Sequence, residues 1–355
     1  MKRNKHMKTI TNIIYPAFAL FAFACFGGVA FAQQPPNDPP CPNSTLAPYG
    51  IAPDSHCAGT GCLVNFNNYQ WWTAFTYNPS GGYYYNGGLG TSFAPEHVVV
   101  DRQGDLHLRM AKDWNNNTEW AGAEAVLMFR ADGTQANLGY GDYLVTAEIV
   151  KPTNATFATY DPNVALGMFT YERPPTGVVP NNPAREIDLA EISRWGWNHV
   201  MPAACPFTGT QGFFDNMTLC QGNAQFALQV FTQHTGMVKR YDIGQTNKIT
   251  LVMRWREGQV TYEKYNGIHK LDNLPTQEKF DWTTPPELTN FVPTPDGCAR
   301  FHINLWLGNF YDTNWNHLPD FAPHAGPTDG QEVEVVIRNF EFQQPTPTPT
   351  PHRRR

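Results

Sequence analysis

From His97 to Phe342 the chain alternates apolar and polar residues with a period near two, and Gly, Pro, Asn and Asp interrupt it at short intervals. That period belongs to strands with one buried face, and long helices are not evident. His97–Val100 and Asp105–Met110 flank Asp101-Arg102-Gln103-Gly104, which predicts a hairpin. Tyr143–Val150 reads as a further strand, and Ile249–Trp255 and Gln259–Tyr265 are predicted to pair across Arg256-Glu257-Gly258. His302–Leu307 follows, and Glu332–Phe342 closes the series. With 29 Gly and 30 Pro between short strands, the chain is predicted to be all-β, two packed antiparallel sheets.

The two ends read differently from this middle. Lys2, Arg3, Lys5 and Lys8 precede an apolar run from Ile13 to Phe31, and Ala30-Phe31-Ala32 has the small residues of a cleavage site. Residues 1–32 are therefore read as a secretory signal peptide, with a secreted product (extracellular or periplasmic) beginning near Gln33. No later stretch is apolar enough to span a membrane. Residues 33–62 form a Cys- and Pro-rich lead-in, residues 63–344 one domain, and residues 345–355 a Pro-Thr tail ending in three arginines. Such a tail has nothing to bury and is expected to be extended. Six cysteines follow the signal (Cys41, Cys57, Cys62, Cys205, Cys220 and Cys298), an even number that suits disulfides in an exported chain.

Charge narrows the partners. Beyond residue 32 the chain carries 21 Lys+Arg against 31 Asp+Glu, a net of −10. That balance argues against nucleic acid and strongly anionic polymers and suits a neutral substrate. Ten Trp, 15 Tyr and 23 Phe supply flat faces that can fill a core or stack on sugar rings.

One segment concentrates acids. Arg185-Glu186-Ile187-Asp188-Leu189-Ala190-Glu191-Ile192 holds three carboxylates in six residues, spaced by aliphatics. On a strand Glu186 and Asp188 share a face, and Glu191 is out of phase by one. A β-bulge of one residue restores Glu191 to the acidic face. Glycosidic cleavage needs a proton donor and a second carboxylate, which retaining enzymes hold roughly 5–5.5 Å apart. A straight strand sets the outer Cα atoms on the order of 13–16 Å apart, so two long glutamates on a bulged, curved strand answer that demand. Spacing alone leaves three readings open: catalysis, a solvated acidic face, or a calcium site.

Glu186-Ile-Asp188-Leu-Ala-Glu191 resembles the bulged signature Glu-x-Asp-x-x-Glu of glycoside hydrolase family 16. The resemblance extends over most of residues 64–343. Tyr85-Asn86-Gly87-Gly88, Gly139-Tyr140-Gly141-Asp142-Tyr143, Gly167-Met-Phe-Thr-Tyr171, Asn181-Asn182-Pro183 and Asn304-Leu305-Trp306 are similar to segments of its licheninase-type members, in the same order. The resemblance implies a concanavalin A-like bent jelly-roll sandwich with the acids on its concave sheet. It implies Glu186 as nucleophile, Glu191 as general acid/base and Asp188 as the residue tuning the nucleophile. It implies a groove in which Trp306, Asn304, Trp195, Trp197, Glu124, Tyr171 and Gln225 contact sugar. Val126 stands where those members have an arginine, and Ala227 where they have an asparagine.

The function so implied is retaining endo-hydrolysis of a β-1,3- or mixed-linkage β-1,3-1,4-glucan by a monomer that requires no cofactor. A structural calcium, which that family often carries, is specified by no segment. Transglycosylation, galactan hydrolysis and a non-catalytic lectin are the rival readings. No Gly-x-Ser-x-Gly turn and no His-Glu-x-x-His helix offers a different chemistry.

Overall fold

A computed structural model describes residues 63–73, 92–112, 120–136, 138–159, 161, 163–171, 185–192, 224–228, 237–277, 279–295, 299–307, 326–327 and 329–345, without the side chains of 92, 237, 238 and 240. Among these the chain is all-β, with three short 3-10 turns and no α-helix. No helix among them is long and apolar enough to cross a membrane.

Strands are numbered in chain order. The first eight are β1 (Leu63–Phe66), β2 (Tyr69–Thr73), β3 (Ser92–Phe93), β4 (Val98–Val100), β5 (Leu106–Lys112), β6 (Trp120–Arg130), β7 (Gly141–Lys151) and β8 (Val164–Tyr171). The rest are β9 (Ile187–Ile192), β10 (Ala224–Leu228), β11 (Met237–Tyr241), β12 (Lys248–Arg256), β13 (Gln259–Asn266), β14 (Lys279–Thr283), β15 (Arg300–Leu307) and β16 (Val333–Gln343).

They form a jelly-roll sandwich of two sheets that are antiparallel apart from the short parallel pairing of β3 with β6. One sheet runs β11-β10-β9-β8-β15-β6, with β2 and then β1 beyond β6. The other runs β5-β16-β7-β12-β13-β14, with β4 on β5, and a short β5–β6 pairing links the two. The expected hairpins form where the turn residues place them. Gly104 at φ 88 closes the turn after β4, where Asp101 Oδ1 accepts from the backbone N–H groups of Gln103 (2.9 Å) and Asp105 (3.0 Å). Gly258 at φ 67 closes the β12–β13 turn, a conformation that a Cβ disfavours. His97 is a correction: it ends a 3-10 turn over Pro95–His97, and the strand starts at Val98.

The core lies between the sheets. Phe301, Ile303, Leu305 and Leu307 of β15 enter it, as do Val164, Leu166 and Met168 of β8 and Val333, Val335 and Ile337 of β16. Full burial of each such side chain is worth about 1.5–3 kcal/mol. This burial fixes which face of every strand points away from the core. On β15 that outer face holds Arg300, His302, Asn304 and Trp306; on β8 it holds Ala165, Gly167, Phe169 and Tyr171.

Candidate active site

Strand β9 carries the acidic segment between β8 and β10. Ile187, Leu189, Ala190 and Ile192 are all fully buried in the core. Leu189 and Ala190 are consecutive, so the strand cannot alternate through them. Glu191 lies opposite Gly167 of β8 and Ala190 opposite Met168, but Asp188 lies opposite Phe169. Three steps along β9 thus match two along β8, and the same slip occurs against β10, where Glu191 faces Gln225 and Asp188 faces Ala227. This is the bulge that the spacing of the acids requires, and it returns Glu191 to the face of Asp188.

Glu186 sits just ahead of β9, and its backbone is aimed by Arg185. Arg185 has φ 47, in the left-handed region that few residues with a Cβ occupy. Two bonds hold it there: its carbonyl accepts from Thr170 Oγ1 at 2.9 Å, and its Nε donates to Thr294 O at 3.0 Å. Strained backbone of this kind persists where the surroundings over-determine it.

The electrostatics follow from burial. Loss of solvent, and secondarily the charge of Glu191, push the Glu186 carboxyl from its ordinary 4.5 up to about 8. The Gln225 side-chain Nε2 donates to Glu191 Oε2, which favours charge on Glu191. Burial and the neighbouring charge thus favour the protonated form of Glu186. Below Asp188, burial and then the Asp188 charge raise the Tyr262 hydroxyl well above its usual range. That hydroxyl stays protonated and donates to Ala227 O at 2.9 Å.

Pairing across the sheet lays the remaining groove residues in rows. Gln225, Glu191, Gly167, Asn304 and Glu124 face one another in succession from β10 to β6. The next row is Ala227, Asp188, Phe169, His302, Val126 and Trp72. Gly167 makes room in the first row: a Cβ there would stand 2.4 Å from Asn304 Oδ1. Asn304 Oδ1 and Gln225 Oε1 are buried acceptors without a donor among the described residues. Buried polar atoms of this kind call for an explanation, and a hydroxyl-rich ligand supplies one.

The structure thus brings Glu186, Asp188, Glu191, Gln225, Asn304, Glu124 and Tyr171 onto one face of one sheet. Trp306 stands on the same face, only 8% exposed and packed on Phe93 and Ala165. Trp195, Trp197 and the six cysteines lie outside the described residues. Val126, at the position of the missing arginine, packs with Trp72, Met128 and Phe129 instead. Sequence reasoning missed His302, whose ring bonds Glu124 and stacks on Phe169; one histidine in an alternating strand carries no signal of its own. Among the described residues no cluster of three or more His, Cys, Asp or Glu side chains could hold a metal ion.

No family model and no curated protein sequence matches the chain. Solved structures do resemble it. A prokaryotic β-1,3-1,4-glucanase (lichenase) from a mouse hindgut metagenome is 15% identical, with 78% of this chain and 93% of that one covered and a TM-score of 0.41. A non-specific endo-β-1,3(4)-glucanase of family GH16 is 12% identical over 78% and 92%, at a TM-score of 0.41. Lectin I from Ulex europaeus is 13% identical over 69% and 88%, at 0.35. At such identities and TM-scores these likenesses assign neither a substrate nor a reaction to the chain.

Proposed function

We propose that the chain is a secreted, retaining endo-glycosidase of the glycoside hydrolase family 16 type, acting on β-1,3- or mixed-linkage β-1,3-1,4-glucan. The observation that carries this reading is that burial, and then the Glu191 charge, raises the Glu186 carboxyl beside a bulged strand, and the reading assigns one proton to that pair. A retaining double displacement needs that count: one carboxylate to attack and one carboxyl to donate.

In the proposed reaction Glu186 attacks the anomeric carbon while Glu191 protonates the leaving oxygen. A glycosyl–Glu186 ester forms and the glycosidic C–O bond breaks. Water, deprotonated by Glu191, then cleaves the ester and returns the proton to the pair. Burial rests the shared proton on Glu186, so it crosses to Glu191 before attack. The two groups titrate as one coupled system, and their roles follow from which carboxyl faces the leaving oxygen. Asp188, between them on the same face, disfavours a second negative charge on its neighbour until the substrate develops positive charge.

The substrate class is argued from charge and from acceptors. Three carboxylates and Glu124 line the described face, so a neutral polymer fits better than a sulfated or uronic one. Asn304 Oδ1 and Gln225 Oε1 would accept sugar hydroxyls. The mechanism draws on carboxyl groups alone and calls for no cofactor, and one chain holds the whole described set, consistent with a monomer. Export through residues 1–32 belongs to the same proposal.

The test is a panel of barley β-glucan, laminarin and agarose incubated with the mature protein and with Glu186→Ala. Oligosaccharides released from either glucan by the wild type, and at a rate at least about a thousandfold lower by the variant, support the reading. Cleavage of agarose alone moves the assignment to galactan. Binding without cleavage leaves the lectin.

A further inference from the structure

We infer that His302 is a positioning residue for Glu124, and that the pair forms a subsite for a neutral, hydroxyl-rich sugar residue remote from the cleavage point. The inference rests on the proposed function of the groove and extends it to a residue which that reading does not use.

The pair is built across β15 and β6. His302 Nδ1 lies 3.2 Å from Glu124 Oε1, and the two side chains are only 7% and 11% exposed. A carboxylate only accepts, so Nδ1 carries the hydrogen and Nε2 points away from Glu124. The imidazole is held on two further sides. It stacks on Phe169 with centroids 5.0 Å apart and planes 15° apart, and it meets the Tyr171 ring edge-on at 5.8 Å. A ring so confined gives Glu124 one geometry, which is what hydroxyl recognition by a single carboxylate needs.

Two features of the surroundings make His302 specific to this task. Across from it stands Val126, packed with Trp72 and Met128, and its isopropyl group offers Glu124 no donor. Arg300, two residues along β15, directs its guanidinium to the carbonyl of Met128 at 3.3 Å. His302 is thus the basic side chain that the described face turns toward Glu124.

The position of the pair says what it can touch. Glu124 is separated from Glu191 by Asn304 and Gly167 in one row, three strand spacings of about 4.8 Å, or roughly 14 Å. Side chains that far from the carboxyl pair cannot reach the bond being broken. They contact a sugar further along the chain, and the loss on mutation falls on substrate binding. Glu124 also repels an anionic sugar, which restricts the subsite to neutral residues.

The experiment uses the mature protein and barley β-glucan, with KM and kcat measured separately. His302→Phe keeps a ring on Phe169 and removes the donor; KM is expected to rise about tenfold, with the loss in KM rather than kcat. Glu124→Gln should give a similar rise, and the double variant should be no worse than either, as for two members of one unit. His302→Asn sets an amide N–H close to the place of Nδ1 and should recover most of the affinity, which also covers the case in which His302→Phe does not fold. An unchanged KM in both His302 variants, or additive effects in the double variant, overturns the inference. If the wild type binds the glucan without cleaving it, the hydrolase reading fails, and the pair is judged by retardation in gels containing the glucan, which His302→Phe must weaken. A wild type that neither cleaves nor binds barley β-glucan or laminarin overturns both.

Discussion

Asp188 and Glu191 project from the same face of β9 although three residue steps separate them, because Leu189 and Ala190 both turn into the core against a single step of each neighbouring strand. The fold and the chemistry meet at this bulge. Core burial of two adjacent apolar residues is the force that keeps the acids in phase.

Changing the length of the segment at this point therefore has opposite outcomes in the two directions. Deleting Ala190 restores simple alternation and leaves all three acids on one face; the protein should fold, with a stability loss of about 1–3 kcal/mol and some activity retained. Inserting one alanine after Ala190 turns the glutamate toward the core, where an unpaired carboxylate costs several kcal/mol. The insertion variant should give no cooperative thermal transition by circular dichroism. A well-folded, active insertion variant would show that the bulge does not set the phase.

The raised Glu186 pKa gives a pH dependence whose sign is determined. The folded state holds this proton up to about pH 8, whereas an ordinary glutamate releases it near 4.5. Folded protein therefore binds more protons in that window, and the contribution to stability, full below pH 4.5, is lost as pH rises toward 8. The melting temperature of the wild type should fall across this range, and that of Glu186→Gln should fall less. Activity should drop above about pH 8, where the pair loses its shared proton. Parallel melting curves for the two proteins would contradict the assignment.

Two glycines separate site from scaffold. A Cβ on Gly167 clashes with the far end of the Asn304 side chain, at 2.4 Å, which can swing away, and meets Phe169 at an ordinary 3.5 Å. Gly167→Ala should keep its melting temperature within a few degrees while losing about tenfold or more in kcat/KM, because Asn304 leaves the groove. A Cβ on Gly122 meets the backbone oxygen of Leu305 at 2.1 Å, which cannot move without disrupting β15. Gly122→Ala should be destabilised by about 1–3 kcal/mol or more. Equal melting temperatures for the two variants would contradict this division.

How much of this was legible in the sequence depends on how many faces of a strand are buried. β12 and β13 alternate toward their hairpin, where Arg254, Arg256, Gln259 and Thr261 keep contact with solvent between buried Trp255 and Val260, and the residues at the turn name the hairpin. β6 was not marked out, since Ala121 to Phe129 are buried on both faces and the period of two disappears. The acids were legible, and so was the need for a bulge, because Ile187, Leu189 and Ile192 fix the core side on either side of the slip. The left-handed backbone at Arg185 left no trace, for arginine lacks the glycine signature of that conformation. His302 and Glu124 lie 178 residues apart, and only the pairing of β15 with β6 brings them into contact.

The most direct measurement is the anomeric configuration of the first products, followed by proton NMR as the mature protein digests barley β-glucan or laminarin. The expected result is the β-anomer first, with the α-anomer appearing later by mutarotation, and neither appearing with Glu186→Ala. Initial release of the α-anomer, or an unsaturated sugar end in place of a new hemiacetal, would contradict a double displacement through Glu186 and Glu191.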